Sequence, residues 1–321
     1  MTENQRTISL ETEQEAKRRP LLVELVTRLV KEKPLGTIGG VIVLALFLTG
    51  VFADFLAPYG FNEITLTHRL SPPSGTHLLG ADNLGRDLLS RIIYGARISM
   101  FVGLGASALN VVIGTILGLI SGWFGGKTDI IIMRFVDAWM CFPGLFIYLT
   151  VMSILGPGLW QVTLVMGISG GINCRTERSA VMAIKQNVYL EAAKSIGVSN
   201  WGIMTRHILP NILPVIIIVA SLGIGRYILT EATLSFLGFG IPPPTPSWGG
   251  MLSGSGRQYM LLAPWMALWP GLALAAVVYG FNMLGDGMRD ILDPRLKGGL
   301  GRYGGVEKQK AKKASKIGVT S

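Results

Sequence analysis

The sequence predicts an all-α membrane protein with six transmembrane helices, and three observations carry that prediction. Half of the 321 residues are hydrophobic, only 15% are charged, and the mean hydropathy is +0.48. Soluble domains carry about 25% charged residues, so the composition favours a chain that crosses a bilayer. The apolar residues gather in segments of about 20 residues, which is the length that a membrane helix needs. The basic residues, finally, cluster on alternate sides of those segments.

Six apolar segments reach or approach the length of a membrane span. The third contains Arg134, Asp137 and Pro143, and we expect Arg134 and Asp137, three residues apart on one helix, to form an ion pair. The fourth is short and rich in glycine. In chain order, the predicted spans are Leu35–Ala57, Ile98–Ile120, Ile130–Leu155, Leu159–Asn173, Ile212–Ser235 and Trp265–Gly285.

The distribution of positive charge predicts the orientation. If the N-terminus is cytoplasmic, 23 Lys and Arg residues fall on the inner side and five on the outer side, with Arg226 inside a span. Because inner loops are enriched in Lys and Arg, we predict that both termini are cytoplasmic. The chain then consists of an N-terminal tail (1–34), a transmembrane domain (35–290) and a basic C-terminal tail (291–321). Within the transmembrane domain, the outer loops are 58–97 and 236–264, and the large cytoplasmic loop is 174–211.

An amphipathic stretch precedes the first span. In the segment 20–34, one helical stripe carries Leu22, Val26, Leu29 and Val30, with basic residues beside it. This pattern is typical of a helix that lies in the interface of a bilayer. The alternative is that the stretch simply extends the first span.

Several functional classes find no support in the sequence. The run SGWFGGKT (121–128) is close to a phosphate loop, but Ser121 stands where the pattern requires a glycine, and no buried strand precedes it. We therefore expect no nucleotide site and expect Lys127 to face lipid headgroups. We find no catalytic set, metal-ligand spacing or cofactor motif, which disfavours an enzyme. The basic residues flank spans and do not indicate nucleic-acid binding.

Small residues form a ladder in the second span. Gly114, Gly118 and Gly122 recur at four-residue spacing, and such a face lets helix backbones approach closely in a membrane. The ladder fits either a contact with another subunit or packing within the chain itself.

The cytoplasmic loop contains the run EAAKSIGVSNWGIMTRHILP (191–210), which predicts a helix, a glycine and a second helix. Asn187 is placed to cap the first helix, and Gly197 ends it because glycine adopts the left-handed conformation common at helix ends. Ser199 or Asn200 is placed to cap the second helix. The small alanines leave a smooth surface and Glu191 offers a fixed charge, which suits either a docking helix or a solvated connector.

This run resembles the EAA loop of the membrane subunits of bacterial ABC importers. The matching residues are Glu191, Ala192, Ala193, Gly197, Leu209 and Pro210, whereas His207 departs from the usual isoleucine. In that family the first helix is a coupling helix that sits in a groove of the ATP-hydrolysing subunit. The resemblance therefore implies the same role for these residues.

Further motifs resemble the second permease subunit of dipeptide, oligopeptide and nickel importers. They cover nearly the whole chain beyond residue 30: LLGADNLGRDLLSRIIYGARISM (78–100), FPGL (142–145), LTEATLSFLGFGIPPPTPSWGGML (229–252) and ILDPRL (291–296). The resemblance implies a second permease, two ATPase subunits that bind ATP and Mg, and an external binding protein. It also implies the cytoplasmic membrane of a bacterium or archaeon, with no cofactor in this chain. Open alternatives are nickel, an opine or an oligosaccharide as solute, or an ion-coupled secondary transporter.

Two ionisable residues lie within the fifth predicted span, where charge is costly and usually faces the protein interior. Arg226 and Glu231 are five residues apart, about 140° around the helix, so we expect no pair on one face. Both are candidates for the translocation path. Arg226 suits either a substrate carboxylate or a salt bridge to the partner permease. The outer segments 58–97, which carries Arg86, Asp87, Arg91 and Arg97, and 238–264 suit either contact with the binding protein or a structural cap.

Overall fold

The computed structural model describes residues 21–292, and the regular secondary structure in this range is helical. Within that range it has no β-sheet, only one isolated antiparallel bridge between Ala81 and Asp87, which confirms the all-α prediction. The first 20 residues of the predicted N-terminal tail and nearly all of the predicted C-terminal tail lie outside the described residues.

The helices differ greatly in length. A 3₁₀ turn at Leu66–His68 and a π turn at Met204–Ile208 interrupt the α-helical series. The α-helices are Leu21–Glu32 (α1), Pro34–Val51 (α2), Ala53–Leu56 (α3), Leu88–Phe124 (α4), Gly126–Met140 (α5), Gly144–Leu155 (α6), Leu159–Ile172 (α7), Arg175–Lys185 (α8), Val188–Ser195 (α9), Asn200–Ile203 (α10), Leu209–Phe236 (α11), Trp248–Leu252 (α12), Gly254–Gln258 (α13) and Trp265–Leu292 (α14).

Four helical stretches in the described residues are long and apolar enough to cross a membrane: Pro34–Val51, Leu88–Phe124, Asn200–Phe236 and Trp265–Leu292. A fifth crossing exists if α5 and α6 are taken together, although they meet at an angle of 83°. The predicted third span is therefore bent, because Pro143 cannot continue a helix and instead precedes the first turn of α6. Helix α7, with 14 residues, is short for a span.

Helix α4 begins at Leu88, earlier than the predicted span, which started at Ile98. Its N-terminus is capped by Asp87, whose carboxylate accepts a hydrogen bond from the Ser90 backbone N–H at 2.8 Å. Arg97 lies within α4, and its guanidinium donates a hydrogen bond to the Asp54 carboxylate of α3 at 2.8 Å. This ion pair neutralises the charge of Arg97. The sequence analysis assigned residues 88–97 to the outer loop, because the neighbours of Arg97 along the chain give no sign of its partner Asp54.

Helix α1 is separate from α2. The chain breaks at Lys33, whose φ of −134° and ψ of 78° are not helical, and Pro34 starts the next helix. Leu29 is buried against the glycines of α2 and α14, whereas Val26 and Val30 are exposed. The first helix is thus no simple extension of the span that follows it.

The glycine ladder of α4 packs on α8 of the same chain. A Cβ atom added at Gly118 would lie 2.6 Å from the Glu177 Cβ, and one added at Gly122 would lie 2.8 Å from the Val181 Cβ. Only glycine permits this approach, because real Cβ contacts are longer. Of the two uses predicted for the ladder, the structure bears out packing within the chain.

This contact buries a carboxyl group. Glu177, at the start of α8, is 3% exposed, and its Oε2 atom has no hydrogen-bond partner among the described residues. Burial in these surroundings raises the pKa of the Glu177 carboxyl, because desolvation disfavours the charged form.

Gly118→Ala should loosen the α4–α8 contact and destabilise the protein by about 1–3 kcal/mol, since overpacked helix interfaces shift or strain. The measurement is thermal unfolding of the purified protein in detergent, followed by tryptophan fluorescence. Gly40→Ala is the matched control, because its added Cβ would meet only two side-chain methyl groups at ordinary contact distances, of Leu284 at 3.7 Å and of Leu29 at 3.9 Å. Equal melting temperatures for the two variants would contradict the packing role of the ladder.

Glu177→Gln should stabilise the protein at neutral pH but not in acid. The pKa of Glu177 is higher in the folded state than its ordinary value of 4.5. Between these two pKa values, the folded protein therefore retains a proton that the unfolded chain has released. Folding stability therefore falls as pH rises above 4.5 and levels off beyond the folded-state pKa. Glutamine does not ionise and removes this loss.

The melting temperature of Glu177→Gln relative to the unmodified protein should accordingly be higher at pH 8 than near pH 4.5. Glu191→Gln provides the control, because Glu191 is an exposed glutamate on α9, the helix that follows α8 in the same loop. A difference in melting temperature that is the same at both pH values would argue against a buried, proton-binding Glu177.

Candidate functional site

The segment between α7 and α11 is a folded helical layer with its own apolar core. Helices α8, α9 and α10 and the π turn surround this core, which also includes the end of α4. Its buried members are Trp123, Val181, Leu190, Ile203, Met204, Ile208 and Ile212. A core of this kind holds the layer in one arrangement, which a solvated connector would lack.

Polar contacts fix this layer to the corner between α4 and α5. The Trp123 indole N–H donates to the Asn200 side-chain oxygen at 3.1 Å, and the Lys185 ammonium donates to the Trp123 carbonyl oxygen at 2.6 Å. The Arg178 guanidinium donates two hydrogen bonds to the Asp129 carboxylate. This pairing raises the pKa of Arg178, so the bridge keeps its charge.

The local turn chemistry largely follows the sequence. Gly197 has a φ of +84° and ends α9, and the Ser199 hydroxyl accepts a hydrogen bond from the Gly202 N–H at 3.2 Å, as predicted. The prediction of a side-chain cap at Asn187 is wrong. Its amide group donates to the Ile184 carbonyl oxygen instead, so the side chain points back to α8.

The six residues of the family pattern do not share one face. Glu191, Ala192, Gly197 and Pro210 are exposed, and Leu209 is half-buried. Ala193 is buried, at 8% exposure. A bulky substitution there would therefore have to displace neighbouring groups of the protein before it touched a partner.

Exposed apolar side chains surround Glu191 and Ala192, and the sequence reasoning missed them. Val188 is 78% exposed, Ile196 81% and Trp201 71%. A cluster of large exposed apolar residues on a folded layer is typical of a protein interaction surface. A signal was present, since residues 188, 192 and 196 are four apart and form one helical stripe. We call Val188, Glu191, Ala192 and Ile196 the α9 surface; Trp201, on α10, instead lines a groove with Ile116 of α4 and Leu209 of α11.

His207 lies at the junction between α9 and α11. Its ring is 6.4 Å from the ring of Tyr189, measured between centroids. The Asn211 amide joins both, donating to the His207 carbonyl oxygen at 2.6 Å and to the Tyr189 hydroxyl at 3.2 Å. The Asn211 amide thus connects Tyr189 of α9 to the base of a long membrane helix, and the His207 ring lies beside this contact.

Arg226 and Glu231 occupy different environments on α11, as their spacing predicted. Arg226 is exposed, with its guanidinium carbon 5.6 Å from the Tyr227 ring centroid. Glu231 is fully buried, and its Oε1 atom accepts a hydrogen bond from the Ser235 hydroxyl at 2.6 Å. The Ser235 oxygen in turn accepts from the Ile241 N–H at 3.1 Å. Glu231 therefore supports the chain that follows α11.

The predicted ion pair between Arg134 and Asp137 is wrong. Asp137 pairs with Arg175, the first residue of α8, and Arg134 is exposed. The bend at Pro143 and the turn into α8 bring a distant cation closer than the local one. Across residues 21–292, no group of three or more His, Cys, Asp or Glu side chains could hold a metal ion.

Two family models match the chain. Residues 114–298 match the inner membrane component of binding-protein-dependent transport systems, and residues 23–73 match the N-terminal transmembrane domain of oligopeptide transport permease C. The chain is also similar in fold to a chain of the MetNI methionine ABC transporter in an inward-facing conformation. That match has a TM-score of 0.51 and 17% identity, and it covers 63% of this chain and 96% of the other.

Curated relatives agree with the family models. The dipeptide permease protein DppC of Alkalihalophilus pseudofirmus is 41% identical over 84% of this chain and 88% of its own length. The glutathione permease protein GsiD of Pectobacterium atrosepticum is 42% identical over 80% and 86%. The oligopeptide permease protein OppC of Bacillus subtilis is 37% identical over 83% and 88%. This chain therefore belongs to the inner-membrane components of binding-protein-dependent transport systems, which are multi-pass membrane proteins and not enzymes.

Proposed function

We propose that this chain is one of two permease subunits of an ATP-driven peptide importer and that it forms half of the translocation path. The observation that carries the proposal is the α9 surface, an exposed apolar patch on a rigid layer between two membrane helices. Such a surface suits a partner that drives the helices from outside the membrane. The names of the relatives, which specify dipeptides, oligopeptides and glutathione, support a peptide solute.

The proposed topology has six crossings with both termini in the cytoplasm. The four long apolar stretches supply four crossings, the bent pair α5–α6 supplies the fifth, and α7 the sixth. The bend allows α5 to lie partly along the inner surface while α6 enters the bilayer. The excess of Lys and Arg on the proposed inner side supports this orientation.

Helix α1 in this arrangement lies on the inner leaflet. Its exposed residues Val26 and Val30 would contact acyl chains, while Leu29 packs on the bundle. The Lys33 ammonium, 2.6 Å from the Asp290 carboxylate at the end of α14, fixes the helix to the inner end of the bundle. A helix of this kind adds an anchor without crossing the bilayer.

The proposed assembly contains a second permease, two ATPase subunits that bind ATP and Mg, and an external binding protein. It resides in the cytoplasmic membrane of a bacterium or archaeon. The α9 surface would sit in a groove of one ATPase, with Glu191 available to a cation or N–H group there and Gly197, Leu209 and Pro210 shaping the chain beside it. A short helix seated in a groove is a common recognition mode.

Movement of the ATPases would reach the path through the loop core. Because α9 contacts the base of α11 through Tyr189, His207 and Asn211, and α10 contacts the end of α4 through Asn200, the layer can move as one body. Rigid-body movement of one unit against another is the usual basis of alternating access.

Arg226 has two proposed roles. Its exposed position on a membrane helix leaves a charge that the assembled protein must cover, because an uncovered cation in lipid is costly. A carboxylate of the partner permease or a carboxylate of the solute in the path would each satisfy it. Glu231, being fully buried, supports the path wall and does not line an open path in this conformation.

ATP dependence separates the proposal from a secondary transporter. Vesicles that contain the complete complex and the binding protein should accumulate peptide with ATP inside, and vanadate should stop the accumulation. Uptake by this chain alone with an ion gradient would overturn the proposal. Uptake of nickel, an opine or an oligosaccharide, but no peptide, would leave the importer class standing and replace the solute.

Ala192→Glu should uncouple ATP hydrolysis from uptake. The substitution adds a charge to the exposed apolar stripe without entering the loop core, so the protein should insert and assemble while uptake falls about tenfold or more relative to ATP hydrolysis. Both rates are measured on the same reconstituted vesicles.

Ala192→Ser is the matched control, because serine is small and keeps the surface smooth. It should behave like the unmodified protein. Normal coupling in Ala192→Glu, with a normal ratio of uptake to hydrolysis, would show that the α9 surface does not dock on the ATPase.

A further inference from the structure

A cavity of about 460 Å³ lies beyond the outer end of α11 in the proposed orientation. It is enclosed by the start of α4, the turn around residues 242–247 and the short helices α12 and α13. Its volume is within the range of sites that hold small organic ligands. The floor is apolar, and the charged residues are confined to one wall, which consists of Asp82, Arg86 and Arg91.

The charged wall carries more positive than negative charge. Arg86 donates from Nε to the Asp82 Oδ2 atom at 2.7 Å, and the Arg91 Nε atom lies 3.7 Å from the same oxygen. One carboxylate thus faces two guanidinium groups, which are only 8% and 7% exposed. Asp82 is already saturated, since its other oxygen accepts the backbone N–H groups of Leu84 and Arg86.

The nearest other carboxylates serve different groups. Asp87 is engaged by the His77 ring, at 2.9 Å, and by Ser90. Glu231 accepts from the Ser235 hydroxyl, and among the described residues neither arginine forms an ion pair with it. The remaining partners of the two arginines are neutral: the Asn62 side-chain oxygen for Arg86, and the Phe61 and Pro244 carbonyl oxygens for Arg91. Because a buried guanidinium without a counter-ion of its own is unfavourable, an anion in the cavity would stabilise this wall.

Hydroxyl groups also line the cavity. Thr245, Ser253 and Ser255 line the cavity, and none of their hydroxyls hydrogen-bonds within the described part of the chain. Two guanidiniums and several hydroxyl donors suit a carboxylate, whose oxygens accept bonds from both kinds of group.

We infer that this cavity is a subsite for the C-terminal carboxylate of a peptide on its way into the membrane path. The inference rests on the proposed function and narrows its solute class. A neutral sugar would leave the second guanidinium without a counter-ion. A free peptide supplies the missing charge at its C-terminus and apolar side chains for the floor.

The inference is tested with the complete complex in lipid nanodiscs, without the binding protein. The probes are the dipeptide Ala-Ala and its C-terminal amide, and binding is followed by saturation-transfer NMR. The unmodified complex should bind Ala-Ala about tenfold or more tightly than the amide, because a charge-assisted hydrogen bond is lost with the carboxylate.

The decisive variant leaves the arginines in place, since Arg91 also donates to the Phe61 carbonyl oxygen and its loss would disturb the fold. Ser255→Asp puts a fixed carboxylate in the cavity lining and should abolish the preference for the free acid. Ser255→Asn has nearly the same shape and no charge, and it should keep the preference.

Three results would overturn the inference: equal binding of the two probes, no binding of either, or an unchanged preference in Ser255→Asp. A variant that kept its preference but bound the external protein more weakly would instead assign the cavity to an acidic side chain of that protein. Peptide uptake by the same preparation, with the binding protein added, tests the proposed function separately. Uptake without the carboxylate preference would remove only the subsite.

Discussion

The close approach of α4 and α8 is the constraint on which the rest of this structure depends. Gly114, Gly118 and Gly122 bring the backbone of α8 against a membrane helix, and a single Cβ at Gly118 or Gly122 would hold the two apart. The contact requires Glu177 to be buried with one oxygen unpaired. In return, the whole loop that follows α8 gains a fixed position relative to the membrane-spanning helices.

That fixed position explains how a loop of short helices can transmit force. Isolated helices as short as α9 are unstable in water, and this one persists because Leu190 and Ala193 are buried. The same inward face leaves Ala192 and its apolar neighbours outward. A partner that pressed on α9 would therefore displace the loop core as a body, and with it the helix ends that contribute Trp123 and Ile212 to that core.

The sequence predicted those features that depend on neighbours along the chain. Apolar length located the four long apolar stretches, and the glycine at 197 and the serine at 199 located the turn. The features that it missed depend on contacts between distant segments. Asp137 pairs with Arg175 and not with Arg134, which is closer along the chain. Arg97 of α4 pairs with Asp54. Ala193 is buried although its neighbours along the chain are exposed. A charged residue beside an apolar run therefore does not mark the start of a loop when a distant residue of the chain can pair with it.

Helix α11 connects the cytoplasmic loop layer to the outer cavity, where the two proposed sites lie. Its 28 residues give a rod about 42 Å long, which begins beside His207 and ends at Ser235, a residue that lines the outer cavity. The Glu231–Ser235–Ile241 hydrogen bonds tie that end to the turn above it. The π turn and Pro214 lie near the other end, where a helix bends most readily. A displacement of the loop at the base would then tilt the rod and change the cavity wall at its tip, so that one helix would couple the proposed docking surface to the proposed subsite.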